Sequence, residues 1–214
     1  MLYIMRHGKT DWNKRHKIQG RTDIPLNDEG RKMAEEAREE YKGIHFDVCY
    51  CSPMIRARET AEIFLKGRDI PIIFDERLVE MGFGIYEGIE ESFSIPDCPI
   101  NVFFFHPEQY TTPVEGGESV DELFARTGEF LKVCVYPKIE EGKDVLIVGH
   151  GAMNLSIVCQ VKNRPLSEFW AEGIPNCKLQ TLIDTTDRKK TVDSLFGILP
   201  QTTTMEEALE EREF

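Results

Sequence analysis

Two histidines stand out by where they fall. Arg6-His7-Gly8 closes the apolar run Leu2-Tyr3-Ile4-Met5, and Gly149-His150-Gly151 closes a second run, Val145-Leu146-Ile147-Val148. In an open parallel sheet, ligands bind outside the carboxyl ends of the strands. Two apolar strands that each hand a histidine to the following turn therefore place both imidazoles in one crevice. An imidazole flanked by arginine suits nucleophilic attack on phosphorus. The nucleophile must be neutral, with one ring nitrogen held by a hydrogen bond so that the other presents its lone pair. Cations must offset charge on the equatorial oxygens, and a leaving alkoxide needs an acid.

Each requirement has a candidate in the chain. His7 is the candidate nucleophile, and Gly8 lets the backbone approach a ligand closely. Arg6 and Arg56 offer planar forks to phosphate oxygens. Ser52-Pro53 predicts a helix to about Leu65, with serine as N-cap and proline at the first helical position. That start puts Arg56 in the first turn, at the strand ends, and Arg58 on another face. His150, just ahead of a helix, is expected to donate to a phosphate beside the backbone amides of the helix start. Glu80 follows Leu78-Val79 and precedes Met81-Gly82-Phe83, and a carboxyl in such apolar surroundings suits general-acid work. His16, His45 and His106 have no comparable setting.

The elements that must position these groups follow from patterning. Strand signals fall at 2–6, 46–51, 71–74 and 144–148. Asn27 is a candidate cap for a helix over 28–42 that carries Met33, Ala37 and Tyr41 on one face. Ser119-Val120-Asp121-Glu122 is a capping box, followed by the inward stripe Val120, Leu123, Phe124, Thr127 and Leu131. A further helix begins just after Gly151, and segments 177–184 and 192–199 could add strands. The alternation predicts an α/β fold, a three-layer α/β/α sandwich with a mainly parallel sheet. With no repeat and no linker, 1–214 reads as a single domain. Val79 to Glu118 breaks the alternation with turns and with the rings of Phe83, Tyr86, Phe93, Phe103, Phe104, Phe105 and Tyr110. Connections of that length are lids or binding loops, so a lid over about 81–117 is expected, some of its rings packing a local mini-core.

Composition narrows the partners. Among 214 residues, 41% hydrophobic and 30% charged content suits a globular chain rather than a disordered one. The net charge of -12 argues against nucleic acid and anionic membrane as partners. Residues 1–21 nevertheless hold six Lys or Arg against one acid, which suits a small anionic ligand. Residues 205–214 hold five Glu and one Arg, so about 203–214 reads as a short acidic tail. Six cysteines without any C-x-x-C spacing read as reduced and structural, with no metal site. The apolar run Met1 to Met5 has no basic flank and does not read as a secretory signal, so a cytoplasmic location is expected.

Five blocks, in order from residue 2 to about 160, resemble the histidine phosphatase superfamily, also called phosphoglycerate mutase-like. They are Arg6-His7-Gly8-Lys9-Thr10-Asp11-Trp12-Asn13 with Gln19-Gly20-Arg21-Thr22-Asp23-Ile24-Pro25-Leu26; Cys51-Ser52-Pro53 through Ala61; Arg77 through Gly88; Gly116-Gly117-Glu118-Ser119; and Val148-Gly149-His150-Gly151. The resemblance implies that His7 becomes phosphohistidine, that Arg6, Arg56 and His150 form the phosphate pocket, and that Glu80 is the proton donor. By the same resemblance Asn13, Gln19, Gly20 and Gly151 belong to the substrate-binding set, and neither metal nor other cofactor is implied. Tyr86, Cys51 and Asn27 depart from the residues common at those positions, outside the proposed pocket.

Between Arg77 and Arg126 there is no lysine or arginine, whereas ten acids from Glu80 to Glu122 are present. A mutase acting on phosphoglycerate must hold a carboxylate as well as phosphate, and a lid without cations matches such a ligand poorly. The expectation is therefore a phosphomonoesterase for a small phosphorylated metabolite, resembling the α-ribazole and broad-specificity phosphatases. The alternatives are a cofactor-dependent phosphoglycerate mutase and a non-catalytic module that binds a phosphometabolite. The oligomeric state has no signature.

Overall fold

The computed structural model describes residues 1–185. Its strands are β1 (Leu2–Arg6), β2 (Val48–Cys51), β3 (Ile72–Phe74), β4 (Val145–Gly149) and β5 (Leu179–Ile183). They form one sheet in the order β3-β2-β4-β1-β5. β1, β2, β3 and β4 pair in parallel, and β5 adds antiparallel to β1 at the edge. The helices are α1 (Asp11–Lys14), α2 (Asp28–Glu40), α3 (Ile55–Phe64), α4 (Asn101–Phe105), α5 (Val120–Phe130), α6 (Tyr136–Glu140) and α7 (Gly151–Lys162). Segment 192–199 and the acidic tail lie outside the described residues.

Side chains alternate across a strand, and here both faces are buried. Tyr3, Met5, Cys49, Cys51, Leu146 and Val148 meet Ala34 and Ala37 of α2 and Ala57, Ala61 and Phe64 of α3. Leu2, Ile4, Val48, Tyr50, Val145 and Ile147 meet Leu123 and Phe130 of α5 and Leu155 and Val158 of α7. The sheet is thus the middle of three layers. Its central strands read as continuous apolar runs because neither face sees water.

Register brings the functional turns level. Arg6 pairs with Gly149 and Cys51 with Val148, so His7, His150 and Ser52 each begin the turn just past a neighbouring strand end. Asn27 caps α2 by accepting from the Gly30 amide at 2.8 Å, and both halves of the Ser119–Glu122 capping box are present.

The predicted start of α3 is wrong by two residues. The helix opens at Ile55 with Met54 at the N-cap and no capping side chain on its own chain segment. Asp23 accepts from the Ile55 amide at 2.8 Å and satisfies a first-turn donor from a distance. Ser52 is drawn instead to His150 (below), so the local Ser-Pro signature lost to a tertiary contact. Arg56 remains in the first turn.

Segment 81–117 carries no strand; it holds α4 and three single 3₁₀ turns. Phe83, Phe103 and Tyr110 are buried, and the Phe103 ring lies 5.4 Å from Phe169 and 5.3 Å from Trp170. These rings make the expected mini-core, while Phe93 and Phe105 remain 60% exposed.

The turn after β1 lies directly on α2. A Cβ on Gly30 would come within 2.1 Å of the Lys9 carbonyl oxygen, and one on Gly8 within 2.5 Å of the Gly30 carbonyl oxygen. Gly30→Ala should therefore cost about 1–3 kcal/mol by overpacking, lower Tm by several degrees and reduce turnover by shifting residues 7–9. Gly43→Ala, with nothing within 4 Å of the new methyl, is the control. Equal melting temperatures for the two variants by calorimetry would contradict the close contact.

Candidate active site

His7, His150, Arg56, Arg6 and Glu80 come together at the carboxyl ends of β1 and β4. The two imidazole centroids are 5.2 Å apart. Backbone contacts fix the first turn: the His7 amide donates to the Gly149 carbonyl at 2.9 Å, and the Gly8 amide to Thr60 Oγ1 at 3.0 Å. Asn176 Nδ2 donates to the His7 carbonyl at 2.6 Å.

Hydrogen-bond partners assign the tautomers. His7 Nδ1 lies 2.7 Å from the Gly8 carbonyl oxygen, which can only accept, so Nδ1 carries the proton and Nε2 the lone pair. His150 Nδ1 lies 3.2 Å from Arg56 Nε, which can only donate, so His150 Nδ1 is bare. Its proton sits on Nε2 and is donated to Ser52 Oγ at 2.7 Å. Burial, then the Arg56 charge, pushes both rings well below the ordinary imidazole range, with Arg6 adding to the effect. Both are neutral near pH 7.

Arg56 is fully buried. Its Nη2 donates to the Gly20 carbonyl at 2.7 Å, Nη1 to the Thr22 carbonyl at 2.9 Å, and Nε to His150. Three of five N–H groups are thus committed, and two remain for a ligand. Burial lowers its pKa to about 10, opposed mainly by Glu80, so it stays charged. Arg6 donates weakly to the Ile174 carbonyl at 3.4 Å, and its buried Nε has no partner among the described residues. An orphaned guanidinium N–H at this position is a donor waiting for an acceptor.

Glu80 is buried, at 7% exposure, but its surroundings are not apolar as expected. Its Oε2 accepts from the Gly151 and Ala152 amides at 2.8 and 3.2 Å, and its Oε1 from the Met153 and Met81 amides at 2.9 and 2.8 Å. The carboxyl is thus seated at the start of α7, where negative charge is favoured by about 0.3–1 kcal/mol and by up to about 2 in partly buried sites. The expectation that those amides stand open to phosphate beside His150 is corrected: Glu80 occupies them. A Cβ on Gly151 would lie in ordinary contact, 3.5 Å, with both Arg6 Cζ and Glu80 Oε2, which puts Gly151 between these two groups.

The remaining candidates form a second tier. Thr10 Oγ1 contacts Gln19 Oε1 at 3.0 Å and Asn13 Oδ1 at 3.2 Å. These contacts orient both amides and leave their NH₂ ends without partners among the described residues. Gly20 takes φ +54°, and a Cβ there would strike Glu87. Glu87 in turn accepts from the Arg21 and Thr22 amides at 2.9 and 2.8 Å, pinning the two carbonyls that hold Arg56. Sequence reasoning missed Ser52, Thr60, Glu87 and Asn176 as parts of the site. Ser52 was assigned to a cap, and the other three carry no local signal.

Two guanidiniums against one carboxylate leave a surplus positive charge among two neutral imidazoles. Such an arrangement is complementary to a compact anion. Residues 2–196 match the histidine phosphatase superfamily (branch 1), and the chain belongs to that superfamily. It is 26% identical over 181 residues to phosphoserine phosphatase 1 of Hydrogenobacter thermophilus, covering 85% of each chain. It is 32% identical over 166 residues to a 2,3-bisphosphoglycerate-dependent phosphoglycerate mutase of Parvibaculum lavamentivorans, covering 75% of this chain and 79% of the other. The solved structure of Bacillus stearothermophilus YhfR superposes with a TM-score of 0.74 at 33% identity, over 83% of this chain and 88% of that one. The protein is an enzyme of phosphate esters, a phosphatase or a mutase.

The depressed imidazoles carry a stability consequence. Unfolded histidines take up protons below about pH 6.5, whereas the folded rings stay neutral. The stability tied to the neutral rings is therefore complete above about pH 6.5 and is lost as pH falls, by up to about 1.4 kcal/mol per pH unit for each ring. Urea midpoints measured from pH 7.5 to 5.5 should decline, with a shallower decline in His7→Asn. Identical slopes in the two proteins would count against burial of a neutral His7.

Proposed function

We propose that the protein is a phosphomonoesterase that works through a phosphohistidine on His7. The observation that carries this reading is the His7 tautomer: Nδ1–H is committed to the Gly8 carbonyl, so Nε2 keeps a bare lone pair on a buried ring beside the charges of Arg56 and Arg6. In the first step, Nε2 attacks phosphorus and the bond to the ester oxygen breaks. Arg6 and Arg56 take the charge on the equatorial oxygens. His150 hydrogen-bonds the transferring group, which requires its ring to exchange partners with Ser52 or Arg56. Asn13, Gln19, Gly20 and Gly151 bound the space for the ester.

Glu80 serves as the proton donor. In that role its carboxyl gives a proton to the leaving oxygen as the ester bond breaks. In the second step the carboxylate accepts a proton from water as the water oxygen attacks the phosphorus on Nε2. Inorganic phosphate leaves, and His7 and Glu80 are restored.

A mutase shares the first step but returns the phosphoryl group to a second hydroxyl, and the mutase relative favours keeping that reading in view. Release of inorganic phosphate, without a bisphosphoglycerate requirement, separates the two.

His7→Ala should lower phosphate release by at least about 10³-fold, equivalent to roughly 4 kcal/mol, and abolish acid-labile labelling of the protein by radiophosphate. Residual labelling at another residue would remove His7 from the nucleophile's place. Glu80→Gln should slow alkyl esters by about 10²–10⁴-fold and aryl esters with acidic leaving groups far less. Because Gln also disturbs the α7 amides, the ratio between the two ester classes is the readout; equal slowing would contradict proton donation.

A further inference from the structure

One cation reaches segment 78–125 from elsewhere in the chain. Arg21 reaches across from the turn after Gly20. Its Nε donates to the Glu80 carbonyl at 3.3 Å, its Nη2 lies 3.0 Å from Glu118 Oε1, and its side chain is about half exposed at 49%. The residue before it, Gly20, accepts from Arg56, so Arg21 starts beside the phosphate forks.

Glu118 does not need Arg21. It is buried, at 6% exposure, and Arg126 already grips both oxygens, Nε to Oε1 at 2.7 Å and Nη2 to Oε2 at 2.9 Å. The Gly82 amide adds a longer contact at 3.4 Å. Arg126 and Glu118 thus form a neutral bidentate pair, and Arg21 is a second cation on a carboxylate that is already balanced. A cleft of about 490 Å³ opens here. Its other acids are Glu122, which accepts from the Ser119 amide and hydroxyl, and the exposed Glu129, 3.4 Å from Arg77. Removing Arg21 from Glu118 would therefore leave no buried charge unpaired, so a ligand anion can take it at small cost.

We propose that Arg21 is a specificity-determining residue that binds a carboxylate on the organic part of the phosphomonoester. This proposal rests on the phosphomonoesterase reading and names its substrate class: a phosphate ester whose carboxylate lies a few bonds from the ester oxygen. The guanidinium fork matches that group, and its tether to the Glu80 carbonyl holds it beside the proton donor.

O-phosphoserine and O-phosphoethanolamine differ by that carboxylate alone and are the matched probes. Arg21→Gln should raise KM for O-phosphoserine about ten-fold or more, as loss of a charge-assisted pair predicts, with kcat within about three-fold. Its parameters for O-phosphoethanolamine should stay unchanged, and Arg21→Lys, a point charge without the fork, should fall between. Equal changes for both probes would mean that Arg21 acts only through Glu80 and Glu118, and no change for either would mean that it binds nothing; both overturn the proposal. Calorimetric binding of O-phosphoserine to His7→Ala and to His7→Ala/Arg21→Gln tests the carboxylate contact without turnover. Weaker binding in the double variant supports it and equal binding overturns it, whatever becomes of the hydrolysis reading. That reading fails separately if the wild-type protein releases phosphate from no ester.

Discussion

A fully buried guanidinium has to be given acceptors, and much of the site follows from how Arg56 obtains them. Two backbone carbonyls, Gly20 and Thr22, and one imidazole nitrogen, His150 Nδ1, meet that demand. To present the carbonyls, the chain turns at Gly20 with positive φ while Glu87 holds the following amides. To present the imidazole nitrogen, His150 must be the tautomer with its proton on Nε2, and Ser52 accepts that proton. One buried charge thus orders residues from four distant stretches of chain. It also accounts for Ser52 not capping α3, because the hydroxyl serves His150 while Asp23 satisfies the Ile55 amide.

The same charge sets the chemistry of the neighbouring ring. Burial and two guanidiniums make a protonated His7 unfavourable, and the Gly8 carbonyl determines which nitrogen keeps the remaining proton. The neutral His7 ring and the surplus positive charge around it are therefore consequences of one arrangement. Glu80 completes it by bringing a carboxyl to the start of α7, where three consecutive amides and the Met81 amide receive it. The helix start that would otherwise have been an open anion site instead seats the Glu80 carboxyl.

Segment 81–117 is anchored by its own rings against Phe169 and Trp170. Its electrostatics come largely from outside it, since Arg21 and Arg126 converge on Glu118 from opposite directions along the chain. An inventory of charges within a segment describes that segment's sequence, not its field.

What could be read along the chain is what is encoded locally. Apolar runs of strand length, the Asn27 cap, the Ser119–Glu122 box and the Arg-His-Gly turn all depend on residues a few positions apart, and each is found where the pattern put it. The central strands were legible because burial on both faces leaves a continuous apolar run. The tautomers of His7 and His150, the seating of Glu80 on α7, the true start of α3 and the placement of Arg21 were not legible. Most of these contacts join residues 30 to 100 positions apart, such as His150 to Ser52 and Gly151 to Glu80. A hydroxyl or carboxylate has several possible local partners, and only packing determines which donors lie within about 3 Å of it.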